Sequence, residues 1–396
     1  MDETKFGSRN KRGFYIPRDK IQINPPHLIP PRPLKFIKFI FGWNGYLFPW
    51  QFLWASIAVL FWFFLTPPLE QMKNFEISWL SFIFLRNVIL TLVYISIFHF
   101  HFYIFKSQGN SFKFNSRPLE TGNSKFLFKN QTKDNLFWVF VFAVPIWSAY
   151  EIITYWAFAN NLIPFVSWEV YPIYCVVLFC LIPIMRDFHF YLIHRLIHWG
   201  PLYRIAHRVH HLNVNPGPWS GMSMHPIELI LYFSGIFVHW IIPSHPLIAM
   251  YHIFHAALSP HAGHSGYEKM VFKNGKAVHI GAYDHYLHHK YFECNYAGGQ
   301  VNFIDKLFGT FHDGSEEATA KVMERIKIEG NALSHPVHGN HFLEVDDKSV
   351  TLLEMDTKDK IGISISLDRY SGKLEIIRGW GNPYHFIGQC EVIRKF

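Results

Sequence analysis

The stretch RDFHFYLIHRLIHWGPLYRIAHRVHH, residues 186–211, decides how the rest of this chain is interpreted. Residues at i and i+4 lie on the same face of an α-helix, one turn apart. Two histidine pairs have that spacing and a fifth histidine stands beside the second pair: His194, His198, His207, His210 and His211. Gly200-Pro201 interrupts the run. We therefore expect a helix, a turn and a second helix, each presenting imidazoles along one face.

A third group, in DHYLHH, repeats the H-x-x-H-H spacing with His285, His288 and His289. Imidazole is the commonest protein ligand for metals and suits iron, zinc, copper and nickel. A single tetrahedral zinc needs at most four protein ligands, so eight histidines are too many for one such ion. Shared between two ions, eight give four apiece and leave positions for oxygen or water. Core or surface histidines are the alternative, but three groups at matched spacing favour a metal site.

The three groups resemble the histidine boxes of the fatty acid hydroxylase/sterol desaturase superfamily. The segment after the third box, KYFECNYAGGQVNFIDKLFGTFHD, is also similar to that family, as are SMHPIEL around His225 and HSGYE around His264. The similarity covers roughly residues 46–313. In one respect the chain departs from the sterol C4-methyl oxidases, which carry a further histidine where Phe190 stands here. His189 is one position away, on a different face of the helix.

The resemblance implies an integral-membrane oxidase that uses two iron ions and O2 to oxidise a lipid, with zinc able to replace iron in a purified sample. The implied metal ligands are His194, His198, His207, His210, His211, His225, His264, His285, His288 and His289. Asp187 and Asn295 are the candidate catalytic residues, Asn295 by family similarity only. Asp187, Glu228 and Asp284 are carboxylates placed to orient ligand imidazoles, and a solvated surface acid is the alternative for each.

The composition is that of a membrane protein. Half of the 396 residues are apolar, 18% are aromatic and only 17% are charged, a balance typical of chains with rings at a membrane interface. The formal net charge is +8, but the basic residues flank apolar runs, which indicates lipid headgroup contacts and not a nucleic-acid surface. The four cysteines form no paired motif, so disulfides are not expected.

Four apolar runs predict membrane spans, at residues 46–66, 88–105, 136–158 and 170–185, the last continuing into the first histidine helix. Lys and Arg number nine before the first run, one at 67–78, six at 106–135 and none at 159–169. By the positive-inside rule, the N-terminus and the histidines face the cytosol, or the matrix in a mitochondrial inner membrane. No signal peptide is expected. Residues 229–242 and 247–258 predict either an interfacial or re-entrant hairpin or a buried helical pair.

The predicted fold class is mainly α: a four-helix transmembrane bundle with a helical histidine-rich metal cap and a small β-rich C-terminal appendage. The predicted divisions are a basic, proline-rich arm at 1–42, a transmembrane region at 43–185, a di-metal catalytic region at 186–313, and a helix plus β-rich extension at 314–396. The extension includes a helix at 315–330 and strand-like runs from His341 onward. It serves either as a lid over the cap or as a docking surface.

The predicted function is a membrane-bound, O2-dependent di-iron lipid hydroxylase or desaturase of lipid metabolism, with a sterol as the first expected substrate. A sphingoid base, fatty acyl chain or alkylglycerol remains an alternative substrate. A different class of function is an accessory subunit with this fold, built into a larger membrane complex such as a mitochondrial respiratory assembly. A zinc hydrolase is disfavoured because the chain has no H-E-x-x-H.

Each turnover needs two external electrons, and the chain has neither a G-x-G-x-x-G after a strand nor a cysteine set for an iron–sulfur cluster. A separate donor is therefore expected, and the family resemblance implies cytochrome b5 or its reductase. The endoplasmic reticulum is the expected location, with the mitochondrial inner membrane as the alternative. A membrane-protein partner that docks on the N-terminal arm or the C-terminal extension is a further expectation.

Overall fold

The computed structural model describes residues 2–11, 13–27, 30–329, 340–345, 349–356, 361–368, 374–380 and 391–393. The chain divides into two compact units, Met1–Val322 and Met323–Phe396. The first unit is mainly helical and contains every histidine of the three boxes. The described residues of the second unit include a five-stranded antiparallel sheet.

The helices are α1 (Pro33–Phe41), α2 (Trp50–Phe64), α3 (Ile77–His99), α4 (Gln131–Trp138), α5 (Val144–Ala159), α6 (Pro172–Ile197), α7 (Gly200–Leu202), α8 (Arg208–His211), α9 (Pro226–Phe233), α10 (Pro246–Gly263), α11 (Tyr283–Tyr291), α12 (Phe303–Leu307) and α13 (Glu316–Glu329). The strands are β1 (Gly7–Arg9), β2 (Tyr15–Pro17), β3 (Lys269–Val271), β4 (Ala277–His279), β5 (Asn340–Val345), β6 (Ser349–Asp356), β7 (Ile361–Asp368), β8 (Leu374–Trp380) and β9 (Glu391–Ile393). Turns of π-helix extend α3 to Ile104 and join α4 to α5.

Three helices in the described part of the chain are long and apolar enough to cross a membrane: Ile77–Ile104, Gln131–Ala159 and Pro172–Ile197. Their 28, 29 and 26 residues correspond to about 42, 44 and 39 Å at 1.5 Å per residue, more than a hydrocarbon core of about 30 Å. They contain the predicted second, third and fourth apolar runs. The fourth run continues without a break into the helix that carries the first histidine pair, as predicted.

The predicted first span is shorter than expected. Residues 46–66 form only the 15-residue helix α2, about 22 Å long, because Pro49 precedes its first turn and Pro67-Pro68 follows it. Trp50 Nε1 donates to the carbonyl of His279, 2.6 Å away, and the carbonyl of Lys73 accepts from Asn160 Nδ2 at 3.1 Å. After α2 the chain continues through a 3-10 turn at Leu69–Met72, and Lys73 contacts the residue that follows α5. The four-helix arrangement stays a prediction.

The hairpin between the second and third boxes forms α9, a 3-10 segment at Ser234–Trp240, and α10. In α10, 15 of 18 residues are buried, and the helix packs on α2, α5 and α6. At the turn, Ser244 exchanges backbone hydrogen bonds with Pro164 and Val166. Of the two predicted alternatives, this half of the hairpin is a buried helix. It is too thoroughly covered by the protein to lie at an interface.

A polar group in the middle of α3 joins that helix to α5. Arg86 and Glu151 form an ion pair with side chains 4% and 1% exposed. Asn87 Nδ2 donates to Glu151 Oε2 at 2.8 Å, and the Tyr155 hydroxyl donates to Oε1 at 2.9 Å. Arg86 also donates to the carbonyl of Leu65, just past α2. Because buried charges need partners, this group ties three helices together.

The N-terminal arm packs on its own chain. The hairpin β1–β2 places Tyr15, which is 1% exposed, in a cluster with Phe112, Phe114 and Tyr286 of α11. Farther along, Asn24 Nδ2 donates to the carbonyl of Gly299 at 2.6 Å. The sequence predicted that a partner could hold this arm. In the structure it contacts the helix of the third histidine box and the segment that follows.

The described residues from Glu316 onward contain the helix and the strands that the sequence predicted. The expected helix is α13, and β5–β9 form a five-stranded antiparallel sheet in sequential order. In β7, apolar residues alternate with small or polar ones, the period of a half-buried strand. Together, α13 and β5–β9 account for the predicted helix and the β-rich character of the segment.

Candidate metal centre

Three short helical stretches carry the histidine boxes. The first box occupies the C-terminal turn of α6, and α6 ends at Ile197, one residue before His198. Helical turns over residues 200–211 follow, with a π-turn at Tyr203–His207 and α8 after it. The third box lies on α11. The predicted helix, turn and second helix are therefore present. In the second helix, a π-helical turn that ends at His207 precedes α8.

Two groups of histidines converge within the part of the chain that the structure describes. Cluster A contains His194, His198, His207, His211 and His288; cluster B contains His210, His264, His285 and His289. Within each cluster the candidate ligand nitrogens lie within 4.8 Å of one another. The clusters adjoin, since the rings of His211 and His289 have centroids 4.8 Å apart.

The second and third boxes divide their histidines in opposite ways. In the second, the i and i+4 residues His207 and His211 join cluster A while His210 joins cluster B. In the third, the corresponding pair joins cluster B and His288 joins cluster A. Neighbouring residues on a helix point about 100° apart, so each H-x-x-H-H box serves two centres at once.

Acceptors at Nδ1 orient four of the rings. His194 donates to the carbonyl of Tyr296 at 2.8 Å, and His288 donates to the carbonyl of Cys294 at 2.7 Å. His264 donates to the carbonyl of Pro260 at 2.7 Å, and His207 contacts Glu228 Oε1 at 2.8 Å. A carbonyl can only accept, so the first three rings carry their proton on Nδ1. Their Nε2 lone pairs therefore face the clusters.

The Nε2 atoms of each cluster lie close together, and those of His264 and His288 carry no proton because Nδ1 holds it. In cluster B, Nε2 of His264 lies 3.2 Å from that of His210 and 3.1 Å from those of His285 and His289. In cluster A, Nε2 of His288 lies 3.2 and 3.1 Å from those of His198 and His211. Metal–nitrogen bonds of about 2.0–2.1 Å hold ligand nitrogens at about this separation. The arrangement fits a cation in each cluster.

Burial keeps these rings neutral, which is the form that binds metal. It lowers the pKa of His264 to about 4. Burial likewise holds the pKa well below its ordinary value for the other box histidines after α6: His198, His207, His210, His211, His285, His288 and His289. Desolvation is the largest cause in each case, because the charged form loses its water.

The structure places the other predicted site residues as follows. His225 lies outside both clusters and caps α9, where its Nδ1 accepts from the Ile227 amide at 3.3 Å. Glu228 contacts a cluster imidazole, as proposed for it from sequence. Asp284 accepts the backbone N–H of His285 at 2.8 Å. Asn295 binds main-chain groups of Asp284 and His312, so it links the first turn of α11 to the segment at His312.

Asp187 lies at the wall of a cavity. It accepts from Arg186 Nη1 at 2.9 Å and from the Gln300 amide at 2.8 Å. A Cβ at Gly298 would lie 2.4 Å from Asp187 Cγ, so the glycine lets the chain after the third box approach this carboxylate. Asp187 therefore binds the guanidinium group of Arg186 and the backbone of the segment after the third box. Among the described residues it forms no hydrogen bond with an imidazole.

The cavity has a volume of about 160 Å³ and adjoins cluster B. Its lining includes His210, His264 and His285, together with Arg186, Tyr232 and His255. Sequence reasoning did not assign the last three to the site. It also missed the carbonyl acceptors, because every residue has a carbonyl and no residue type marks the ones that are used.

Comparisons with known proteins agree with this geometry. Residues 179–310 match the family model described as fatty acid hydroxylase. Human cholesterol 25-hydroxylase is 32% identical over 46% of this chain and 64% of its own length. Chicken methylsterol monooxygenase 1 and a Delta(7)-sterol 5(6)-desaturase of Gibberella zeae are each 28% identical over 32% of this chain, covering 43% and 39% of their own lengths.

The chain spans 48%, 53% and 64% of the length of the first three curated relatives that it matches. No solved structure matches it. The matched region runs from within α6 to residue 310, in the segment after the third box, and it includes all nine clustered histidines. This part of the chain, about a third of its length, is therefore similar to the fatty acid hydroxylase family, as the three histidine boxes indicated.

Proposed function

We propose that this protein is a membrane-bound, O2-dependent di-iron oxidase that hydroxylates or desaturates a lipid, with a sterol as the first expected substrate class. The observation that carries the proposal is the convergence of nine imidazoles into two adjoining clusters beside a cavity. The named activities of the relatives, which are sterol oxidations, support the same substrate class.

In this proposal, clusters A and B would each hold one iron ion, and the pair would supply the O2 chemistry that oxidises an unactivated C–H bond. The protein orients the histidine rings so that the lone pairs of their Nε2 atoms point toward the metal positions. The carbonyls of Cys294, Tyr296 and Pro260 keep three Nδ1 atoms protonated, so that Nε2 is the ligand atom. Glu228 Oε1 lies 2.8 Å from Nδ1 of His207 and would orient that ring, and burial raises the pKa of this carboxyl well above its ordinary value.

The cavity beside cluster B would receive the part of the lipid that reacts. Trp54, Phe190 and Met224 form apolar parts of its wall, which excludes water from that side. Phe190 occupies the position where the C4-methyl oxidases carry a further histidine, and it stacks on His194 with ring centroids 4.6 Å apart. It therefore supports a ligand ring instead of adding a ligand.

We also propose that the metal centre faces the cytosol from the endoplasmic reticulum membrane and receives electrons from a separate protein such as cytochrome b5 or its reductase. The N-terminal arm packs on α11, so the arm and the histidines lie at the same end of the helices. The many basic residues of the arm would suit an acidic donor.

The test is metal analysis of the purified full-length chain, joined to mass spectrometry of sterols incubated with it, O2 and a reducing system. We expect about two iron ions per chain and oxygen-dependent oxidation of a sterol. His264→Ala should lose metal from cluster B, and His211→Ala from cluster A. His225→Ala is the matched control and should keep both ions. Co-purification in a stoichiometric complex, with function indifferent to the His264 and His211 substitutions, would instead identify an accessory subunit.

A further inference from the structure

The cavity beside cluster B is too small for a whole lipid. At about 160 Å³ it has room for about one six-membered ring, since a cavity of roughly 150 Å³ holds a benzene molecule. Only one end of a lipid can therefore lie next to the cluster. Which end enters depends on the side chains of the wall.

Two polar groups of the wall lack partners among the described residues. His255 on α10 is 2% exposed, and neither of its ring nitrogens has a hydrogen-bond partner there. Arg186 Nε is likewise buried without a partner, although the two Nη atoms bind Asp187 and Tyr232. Buried polar atoms are nearly always satisfied. Three buried polar atoms without hydrogen bonds lie around one cavity, and a ligand that forms hydrogen bonds with them would explain their presence.

The chemistry of these atoms favours a hydroxyl group. A buried imidazole without a counter-charge is neutral, so one nitrogen donates and the other accepts. Arg186 Nε–H is a further donor. The charge of Arg186 is already paired with that of Asp187, whose oxygen lies 2.9 Å from Nη1, so Arg186 is not a free counter-charge for a carboxylate. A hydroxyl both accepts and donates, and it is neutral.

We propose that the cavity receives the hydroxyl-bearing end of a neutral lipid, with His255 and Arg186 binding that hydroxyl. The carbon that is oxidised then lies within a few bonds of the hydroxyl and not in the apolar tail. The position of oxidation rests on the proposed function, whereas the binding preference does not. Tyr232 positions Arg186, because its hydroxyl contacts Nη2 and donates to the carbonyl of Ala256 at 2.7 Å.

Equilibrium competition binding on the full chain in lipid nanodiscs tests the preference, with tritiated cholesterol as the probe. The competitors are cholesterol, its methyl ether, and 5-cholestene, which lacks the hydroxyl; oleyl alcohol and oleate form a second matched pair. We expect the ether and the deoxy sterol to compete about 10-fold or more weakly than cholesterol, since a site built to bind a hydroxyl rejects the analogue without it. Oleyl alcohol should compete better than oleate.

Substitutions at His255 test whether this residue causes the preference for a hydroxyl. His255→Phe retains a ring beside Trp54, whose centroid lies 4.9 Å from that of His255, but it should remove most of the discrimination. His255→Gln keeps a donor and an acceptor and should restore part of it. His99→Phe is the control, because His99 on α3 also has a buried ring nitrogen without a partner among the described residues, yet it does not line the cavity. It should leave the preference intact.

Equal binding of cholesterol and 5-cholestene by the wild-type protein would overturn the inference, as would tighter binding of oleate or an unchanged preference in His255→Phe. Failure to bind any of these lipids would also overturn it. The proposed function is tested separately by iron content and sterol oxidation. Hydroxyl preference in a protein without iron would contradict the proposed function alone, and oxidation without the preference would contradict only this inference.

Discussion

At the scale of single residues, the position of one proton decides whether an imidazole can bind a metal. In His194, His264 and His288 a carbonyl at Nδ1 holds that proton, and Nε2 is left as the ligand atom. At His207 the partner of Nδ1 is the carboxyl group of Glu228, 2.8 Å away. Partners of this kind raise the basicity of the ligand and set its orientation. Glu228 is therefore the side chain through which metal affinity can be changed without removing a ligand.

We expect Glu228→Leu to weaken metal binding at cluster A by about 10- to 100-fold, the usual cost of removing such a partner. Glu228→Gln should weaken it less, because its amide oxygen still accepts from Nδ1. Competition with a chelator, followed by metal analysis, measures both. If Glu228→Leu bound iron as tightly as the wild type, the contact with His207 would have no role in the site.

At the scale of elements, the helices meet through polar groups as well as apolar ones. Arg86 of α3 and Glu151 of α5 are both buried, and Asn87 and Tyr155 complete the bonds of the carboxylate. The rings of Phe61 and Phe254 lie 5.8 and 5.4 Å from the guanidinium carbon. Removing one partner would leave the other charge buried and uncompensated, which is far worse than removing both.

We expect Glu151→Leu to lower the free energy of unfolding by about 3–5 kcal/mol, the cost of breaking a buried ion pair from one side. The double variant Arg86→Met, Glu151→Leu should be less harmful than the sum of the single changes. Thermal unfolding in detergent of all four proteins in this cycle gives the coupling. Strictly additive effects would show that the two side chains do not stabilise each other.

At the scale of the whole molecule, the N-terminal arm supports the metal centre from outside the matched region. Tyr15 of β2 is 1% exposed and shares its cluster with Tyr286, which lies on α11 between two ligand residues. The unit Met1–Val322 contains both histidine clusters, and the C-terminal sheet forms in the other unit. All the clustered histidines therefore lie in the first unit.

We expect Tyr15→Ala to destabilise the protein by about 3–5 kcal/mol, as truncation of a buried aromatic side chain does, and to lower iron retention at the third box. Ile16→Ala changes the neighbouring residue on the opposite face of the strand, where the side chain is 37% exposed. It should cost less than about 1 kcal/mol. Unfolding transitions and iron content of the two variants make the comparison, and equal effects would refute it.

Removal of residues 330–396 should leave the iron content unchanged, because all nine clustered histidines precede the cut and α13 is kept whole. Metal analysis of the shortened chain checks this expectation. Loss of iron from a shortened chain that still unfolds cooperatively would show that the C-terminal segment is needed to assemble the site.

The sequence by itself determined the features that depend on local spacing. Histidines four apart share a helix face, and long apolar runs form long helices, so the three boxes and three of the four predicted apolar helices could be recognised from their residues. The run at 46–66 shows the limit of this reasoning. Its hydropathy matched a span, but the prolines at its ends restrict the helix to 15 residues.

The tertiary structure decided what depends on contacts between distant residues. Spacing alone did not assign His210 and His211 to different clusters, or bring His264 into cluster B while leaving His225 at a helix cap. The carbonyls that orient the rings have no signature, because every residue carries one. One of these partners is also distant in sequence: Tyr296 lies 102 positions after His194, and only packing brings the two residues together.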